Sequence, residues 1–485
     1  MNAPADIEEK QRPSEPAPGP EVDEAVSHLE EGRTLADVYA HSIFAALEAG
    51  ALDAVRQFIA ELHPADYADL LGLLDEDQRA RVLEIAGPVE AEVLPELSPD
   101  IVGEVVNAMP AEKAAEAIAD LDTDDAAFVL DELDDAKRAE VLAELPASER
   151  LVLHAALDYE EETAGRLMQR HCFAAPPYWT VGQIIDLMRG SDDLPDRFYE
   201  IFVVDPAFRP VGAVPLATLL KTSREVPIEK IMSTEIRRIP DSMDQEEVAY
   251  LFEQYNLISA PVVDEDDRLV GMITVDDVVE VVNAETSEDM LALGGVESDA
   301  GLSDSVVETV RSRFSWLAVN LATAILASIV IALFDKAIAE VVALAVLMPI
   351  VASMGGNAGT QTLTVAVRSL ATRELTPANA VRIIWREALV GGANGILFAL
   401  IMGLLAGVWH AASTGDAGDG LRIGVVIGAA MIINLVCAGL AGILVPLGLQ
   451  RAGADPAVSS GVFVTTVTDV VGFFVFLGLA TLVLL

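Results

Sequence analysis

One aspartate interrupts an otherwise apolar run in this 485-residue sequence: TTVTDVVGFFVFLG, Thr465–Gly478, with Asp469 in its midst. An ionisable residue in such a setting is costly and points to function by default. No Lys or Arg shares the run, so the carboxylate is either protonated or offset by a cation. Thr465, Thr466 and Thr468 bring hydroxyls within a helical turn, and Thr465 shares a face with Asp469 at i, i+4. A second polar cluster interrupts another apolar run, PIVASMGGNAGTQTLT, Pro349–Thr364. Gly355, Gly356 and Gly359 permit close backbone approach and carbonyls turned to a water-filled path. Asn357, Thr360, Gln361 and Thr364 add neutral oxygens. Tight helix packing explains the glycines but does not call for Asn, Gln and Thr beside them. One carboxylate among neutral oxygens, with no His or Cys cluster, suits a hard cation. Magnesium gives up its water reluctantly, so a sparse oxygen ring around a hydrated ion fits that habit. In a symmetric dimer, two copies of Asp469 would face one ion.

Something must hold these residues at membrane depth. Uncharged stretches run over Phe314–Phe334, Val341–Val367, Ala388–Trp409, Ile423–Gln450 and Val458–Leu485, the last broken only by Asp469. Each is long enough to cross a bilayer as a helix. The charge separates to match. Residues 312–485 carry equal numbers of acids and bases, so the net charge of −47 belongs entirely to residues 1–311. Arg311 and Arg313 precede the first span, Arg368, Arg373, Arg382 and Arg386 lie between the second and third, and Arg451 lies between the fourth and fifth. By the positive-inside rule the N-terminal half is cytoplasmic, in an inner (cell) membrane, and the C-terminus is outside. The first 33 residues read as a polar, Pro/Glu-rich disordered tail with no leader. Cys172 and Cys437 belong to different parts of the chain, so no disulfide is expected.

Within 34–160 an apolar residue recurs every 11 or 12 positions, from Leu62 and Leu74 to Leu145 and Leu157. Acidic, cap-like residues follow it, with Ser98, Asp122 and Asp134 as expected N-caps. This predicts an acidic superhelix of short helices. FYEIFVVD and APVVDEDDRLVGMITVDDVVEVV read as strand pairs, each preceded by a helix, VGQIIDLMRG or QEEVAYLFEQYN. They predict tandem CBS modules over 161–228 and 229–292. SDSVVETVRSR, Ser303–Arg313, reads as a polar helix leading into the first span, within a connector over 293–313. The spans occupy 314–485.

Four stretches, YEEETAGRLM, DQEEVAYLFEQYNLISAPVVDEDDRLVGMITVDDVVEVV, MGGNAGTQT and TTVTDVVGF, occur in an order that resembles the MgtE family of magnesium channels and transporters from about residue 35 to 485. The resemblance implies a homodimer with an α-helical superhelical domain, α/β CBS modules, a plug helix and five membrane helices. It implies Asp469 as the main pore ligand, acting through water, with Gly356, Asn357, Thr360, Thr364, Thr465 and Thr468 lining the path. It also implies regulatory magnesium at Asp244, Glu246, Asp277, Glu280, Glu285, Glu288 and Asp289. Glu280 and Asn256 stand where the family usually has aspartate. Asp122, Asp124 and Asp125 are the superhelix acids expected to face the CBS pair. CBS pairs often bind adenine nucleotides, so ATP is a candidate ligand, although no Gly-rich phosphate loop is visible.

The charge supplies a gating argument of its own. Acidic faces closer than about 8 Å, the Debye length at physiological salt, repel. Divalent ions between them would bridge them, so abundant magnesium would pack the domains and close the path. Two other readings are a broader manganese or cobalt transporter and a membrane-anchored CBS nucleotide sensor that conducts nothing. An enzyme is not expected: the six His residues are scattered and no catalytic triad or cofactor loop is present. Nucleic acid is not an expected partner of so acidic a chain.

Overall fold

The computed structural model describes residues 43, 46–47, 51–191, 194–195, 197–296, 306–458 and 460–485. The expected tail and Ser303 lie outside the described residues. The chain divides into two compact units, Met1–Val281 and Val282–Leu485.

The first unit opens with short helices α1 (Leu52–Ala60), α2 (Pro64–Leu73), α3 (Glu76–Ala86), α4 (Pro99–Ala108), α5 (Ala111–Ala119), α6 (Thr123–Asp131), α7 (Asp135–Glu144) and α8 (Ala147–Leu157). The 11–12-residue apolar repeat marks their corners. Leu74, Met109 and Leu145 are C-cap residues in extended conformation whose side chains are buried in the common core. Each stops a helix and seals the turn with the same side chain. Of the expected N-caps, Asp134 accepts from Lys137 N at 2.8 Å. Ser98 and Asp122 make no capping hydrogen bond; Pro99 instead presets the first turn after Ser98.

After α9 (Ala164–Leu167) come two copies of one unit. The first is β1 (Ala174–Ala175), α10 (Val181–Gly190), β2 (Glu200–Val204), β3 (Pro210–Pro215) and α11 (Leu216–Lys221). The second is β4 (Ile239–Pro240), α12 (Gln245–Tyr255), β5 (Ser259–Val263), β6 (Leu269–Thr274) and α13 (Val275–Gly294). In each copy a short strand lies parallel to the middle strand, which pairs antiparallel with the third, with a register shift at the equivalent place, Val203/Val204 and Val262/Val263. The two-residue strands were not expected, being too short for any alternation to show.

The two copies also interlock across the expected boundary at 228/229. Gln169 exchanges backbone hydrogen bonds with Met272, and Ser233 with Ala213. Ala164 and Met168 therefore sit in the core of the second copy, and Met232 packs against that of the first. Each module borrows the segment that precedes the other.

The second unit holds α14 (Val306–Ala332), α15 (Asp335–Glu340), α16 (Ala343–Ala371), α17 (Ala380–Thr414), α18 (Ala417–Arg451) and α19 (Ser460–Leu484). Five of these are long and apolar enough to cross a membrane: α14 and α16 to α19. The most enclosed is α18. It packs on α17 with almost no side chain between them: a Cβ on Gly403 would stand 2.9 Å from Gly424 O, and one on Gly391 2.5 Å from Leu435 O.

The expected connector over 293–313 is not one helix. Helix α13 ends in a turn in which Gly295 N donates to Ala292 O and Val296 N to Leu291 O, with Gly295 at φ +70°. A Cβ there would lie 1.8 Å from Nε1 of Trp316. The polar segment before the first span is the opening of that span itself, since α14 is unbroken from Val306. The end of α13 takes the connector's place at the bundle: Ala292 and Leu293 pack with Leu363, Val367, Ala441, Ala457 and Val464.

Candidate metal-ion sites

Helix α16 continues through Pro349 and the glycines without a break. Carbonyls freed for a water path were expected there; instead each hydroxyl doubles an intact helix. Thr360 Oγ1 donates to Gly356 O and Thr364 Oγ1 to Thr360 O, each at 3.0 Å. A hydroxyl that donates inward keeps its lone pairs for an acceptor role outward. Ser353, Asn357, Thr360, Gln361 and Thr364 recur at helical spacing on one exposed face, unpacked by the rest of the chain. The glycines divide by role. Gly355 and Gly359 are packed, against Asn434 and Val464 respectively, whereas a Cβ on Gly356 would meet nothing within 4 Å. Only Gly356 is open to the polar face.

On α19, Thr465 Oγ1 donates to Gly461 O at 3.0 Å, Thr466 Oγ1 to Val462 O at 2.6 Å and Thr468 Oγ1 to Thr465 O at 2.9 Å. Thr468 is fully buried and faces Gly359, so within one chain it packs α19 on α16 and does not reach the polar face. Thr465 and Asp469 are half-buried on a shared face. The Asp469 carboxylate has no hydrogen-bond or ion-pair partner among the described residues. Depth follows from two pairings. Asn434 lies against both Gly355 and Gly472, and Gly359 lies against Val464 and Thr468. The helices therefore run antiparallel, with Asn357 and Asp469 at one level.

The regulatory candidates fall into separate places. Asp244 caps α12, accepting from Glu246 N at 2.8 Å. Asn256 ends that helix in the left-handed conformation, φ 51° and ψ 49°, where Asn is favoured for backbone reasons. Asp277 accepts from Thr274 N and Oγ1 at 3.0 and 2.8 Å. Asp124, Asp125, Asp277 and Glu280 gather across the superhelix and the second CBS copy. Burial raises Asp124 well above the usual carboxylate range, reinforced by Asp277 and Asp125. Its buried Oδ1 has no hydrogen-bond partner. Asp125 is pushed up to about 7, first by burial, then by Glu280 and Asp277. Asp277 is pushed up to about 6 by burial, against the hydrogen bonds from Thr274. Glu280 is raised by burial and then by Asp277 and Glu96.

In the second unit Asp289 is raised by burial and by Asp455, in the loop after α18. Glu285 and Glu288 lie on α13 beside Asp289. Glu96 and Asp455 were missed from the sequence, because nothing in their local patterns announces a neighbour far along the chain. Among the described residues no three His, Cys, Asp or Glu side chains converge into a ready metal cage. The acids are instead crowded like charges short of a counter-charge, which a hard divalent ion can supply.

The pattern of the family described as "Divalent cation transporter", MgtE, matches residues 348–479. That of the MgtE intracellular N domain matches 62–162, and that of the CBS domain 228–284. A protein named Magnesium transporter MgtE from Enterococcus faecalis is 32% identical over 326 residues, 67% of this chain and 70% of its own. One of the same name from Thermus thermophilus is 32% identical over 454 residues, 91% of this chain and 98% of its own. Among solved structures, the cytosolic domain of the Mg2+ channel MgtE in complex with ATP is 34% identical, covers 50% of this chain and 99% of its own, and has a TM-score of 0.46.

Proposed function

Because the chain belongs to the MgtE family of magnesium transporters, we propose that this multi-pass membrane protein imports Mg2+ down its electrochemical gradient and closes when Mg2+ accumulates on the side of its acidic half. One observation carries the pore: a half-buried, unpartnered Asp469 at the level of an exposed polar face on α16. That face is polar at membrane depth and uncovered by its own chain. A second copy would cover it and enclose a water path, which is the reason for reading the protein as a homodimer. The ion keeps most of its water and is held by Asp469 with oxygens of Asn357, Thr360, Thr364 and Thr465. Membrane potential drives it, worth about 2.3 kcal/mol per charge per 100 mV and twice that for a divalent ion. The basic ends of α16, α17 and α18 are the reason for reading the acidic half as cytoplasmic.

The gate is the end of α13, packed on α16, α18 and α19. The brake is like-charge repulsion, among Asp124, Asp125, Asp277 and Glu280 in one unit and between Asp289 and Asp455 in the other. Magnesium between these acids removes the repulsion and favours the packed, closed arrangement. The test is Mg2+ uptake into proteoliposomes under an imposed potential. Flux is expected with Mg2+ outside only, and is expected to fall when Mg2+ is also present on the side of the acidic half. A chain that binds Mg2+ and carries none defeats the proposal.

The raised acids add a pH signature. Their folded values lie above the ordinary carboxylate range, so packing is favoured below that range and loses this contribution as pH rises through about 6 to 7. Near pH 6.5, Mg2+ binding should therefore release on the order of one proton per chain. Adding Mg2+ to weakly buffered protein with a pH indicator measures it. No release would mean these acids are not where the ion binds.

A further inference from the structure

Asn434 is 1% exposed in the middle of α18, the most enclosed membrane helix. Its Nδ2 donates to Val351 O of α16 at 2.8 Å. That carbonyl partner fixes which end of the amide is which. Its Oδ1 is buried with no hydrogen-bond partner. The side chain occupies space that two glycines leave. A Cβ on Gly355 of α16 would stand 2.2 Å from Nδ2, and one on Gly472 of α19 2.9 Å from it. The amide therefore touches both helices that carry the polar face and the acid. Gly355 is two residues from Asn357, and Gly472 three from Asp469. A half-satisfied amide in an apolar core is less stable than a leucine of similar size, so its presence at this level asks for a function.

We propose that Asn434 is a positioning residue that locks α16 to α19 and so sets how far the Asn357–Thr360 face stands from Asp469, and with it the discrimination between hydrated Mg2+ and larger divalent ions. This rests on the pore reading given above. The hydrogen bond fixes the rotation of α16, and the paired glycines fix the separation of the two helices. The site that results is built on rigid elements rather than loops.

The experiment compares wild type with Asn434→Leu and Asn434→Ala for Mg2+ and Ca2+ uptake in the same proteoliposomes, with thermal stability measured in parallel. Leu fills the volume and leaves no orphaned group, because Val351 O keeps its helical partner. Its stability should match or exceed wild type. The Mg2+-to-Ca2+ flux ratio should fall by roughly fivefold, the factor carried by one net hydrogen bond. A purely structural role would scale both ions together and leave the ratio alone. Should the Leu variant not fold, the same ratio in the Ala variant decides. A variant that folds and keeps the wild-type ratio overturns the role of Asn434. A wild type that carries no Mg2+ overturns the pore reading beneath it.

Discussion

Asp469→Asn and Asp469→Ala should each abolish magnesium uptake, with flux down at least an order of magnitude, while the protein still folds. A divalent ion one water layer from a carboxylate, about 5 Å away, gains on the order of 6 kcal/mol at an effective dielectric of about 20. Retaining only a third of that gain still changes ion occupancy roughly thirtyfold. The other residues proposed to hold the ion, Asn357, Thr360, Thr364 and Thr465, are neutral. The fold should tolerate the change, since the carboxylate has no partner among the described residues whose loss would leave an orphan. Uptake in energised proteoliposomes and a melting curve are the two readouts. Normal flux in both variants would make Asp469 a structural acid and move the pore elsewhere.

The double change Asp125→Asn with Glu280→Gln should shut the path at lower magnesium than wild type needs. These two carboxylates belong to the superhelix and the second CBS copy, and Glu280 raises Asp125. If charge is what holds the open arrangement, removing it does part of the ion's work. One like-charge pair at roughly 8 Å and an effective dielectric of about 20 is worth on the order of 2 kcal/mol. That corresponds to a shift of about tenfold or more in the magnesium concentration of half-closure. The sign separates two mechanisms. If these acids matter chiefly as ligands, the variant would stay open where wild type closes. Flux measured against Mg2+ on the acidic side distinguishes them.

The membrane half was open to reading because hydropathy is a local property. The run broken only by Asp469 is one helix, and five uncharged stretches correspond to five long helices. Helix ends were less accessible. Arg382 and Arg386 lie inside α17, which begins at Ala380, because charged residues extend a helix beyond the hydrocarbon. Contacts between distant segments could not be read at all. Asp455 next to Asp289, Glu96 near Glu280, and Asn434 between two glycines depend on packing. So does the borrowing of Met168 by the second CBS copy. Thr468 looked like its neighbours Thr465 and Thr466 in composition; only its angle on the helix turns it toward Gly359. SDSVVETVRSR stands out because it is polar and precedes a span, whereas the end of α13 reaches the bundle through two ordinary apolar residues, Ala292 and Leu293, which nothing local marks.

The closely fused pair α17 and α18 has one more consequence. Each is 35 residues long, about 50 Å of helix, against a hydrocarbon thickness of about 30 Å. With backbone against backbone at Gly403–Gly424 and Gly391–Leu435, the pair has no soft layer in which to slide or shorten. A change in acyl-chain length is therefore met by tilting the hairpin as a single beam. Because α18 carries Asn434, that tilt is delivered to α16 and α19. On the role proposed for Asn434, bilayer thickness would then be an input to ion passage separate from the acidic half.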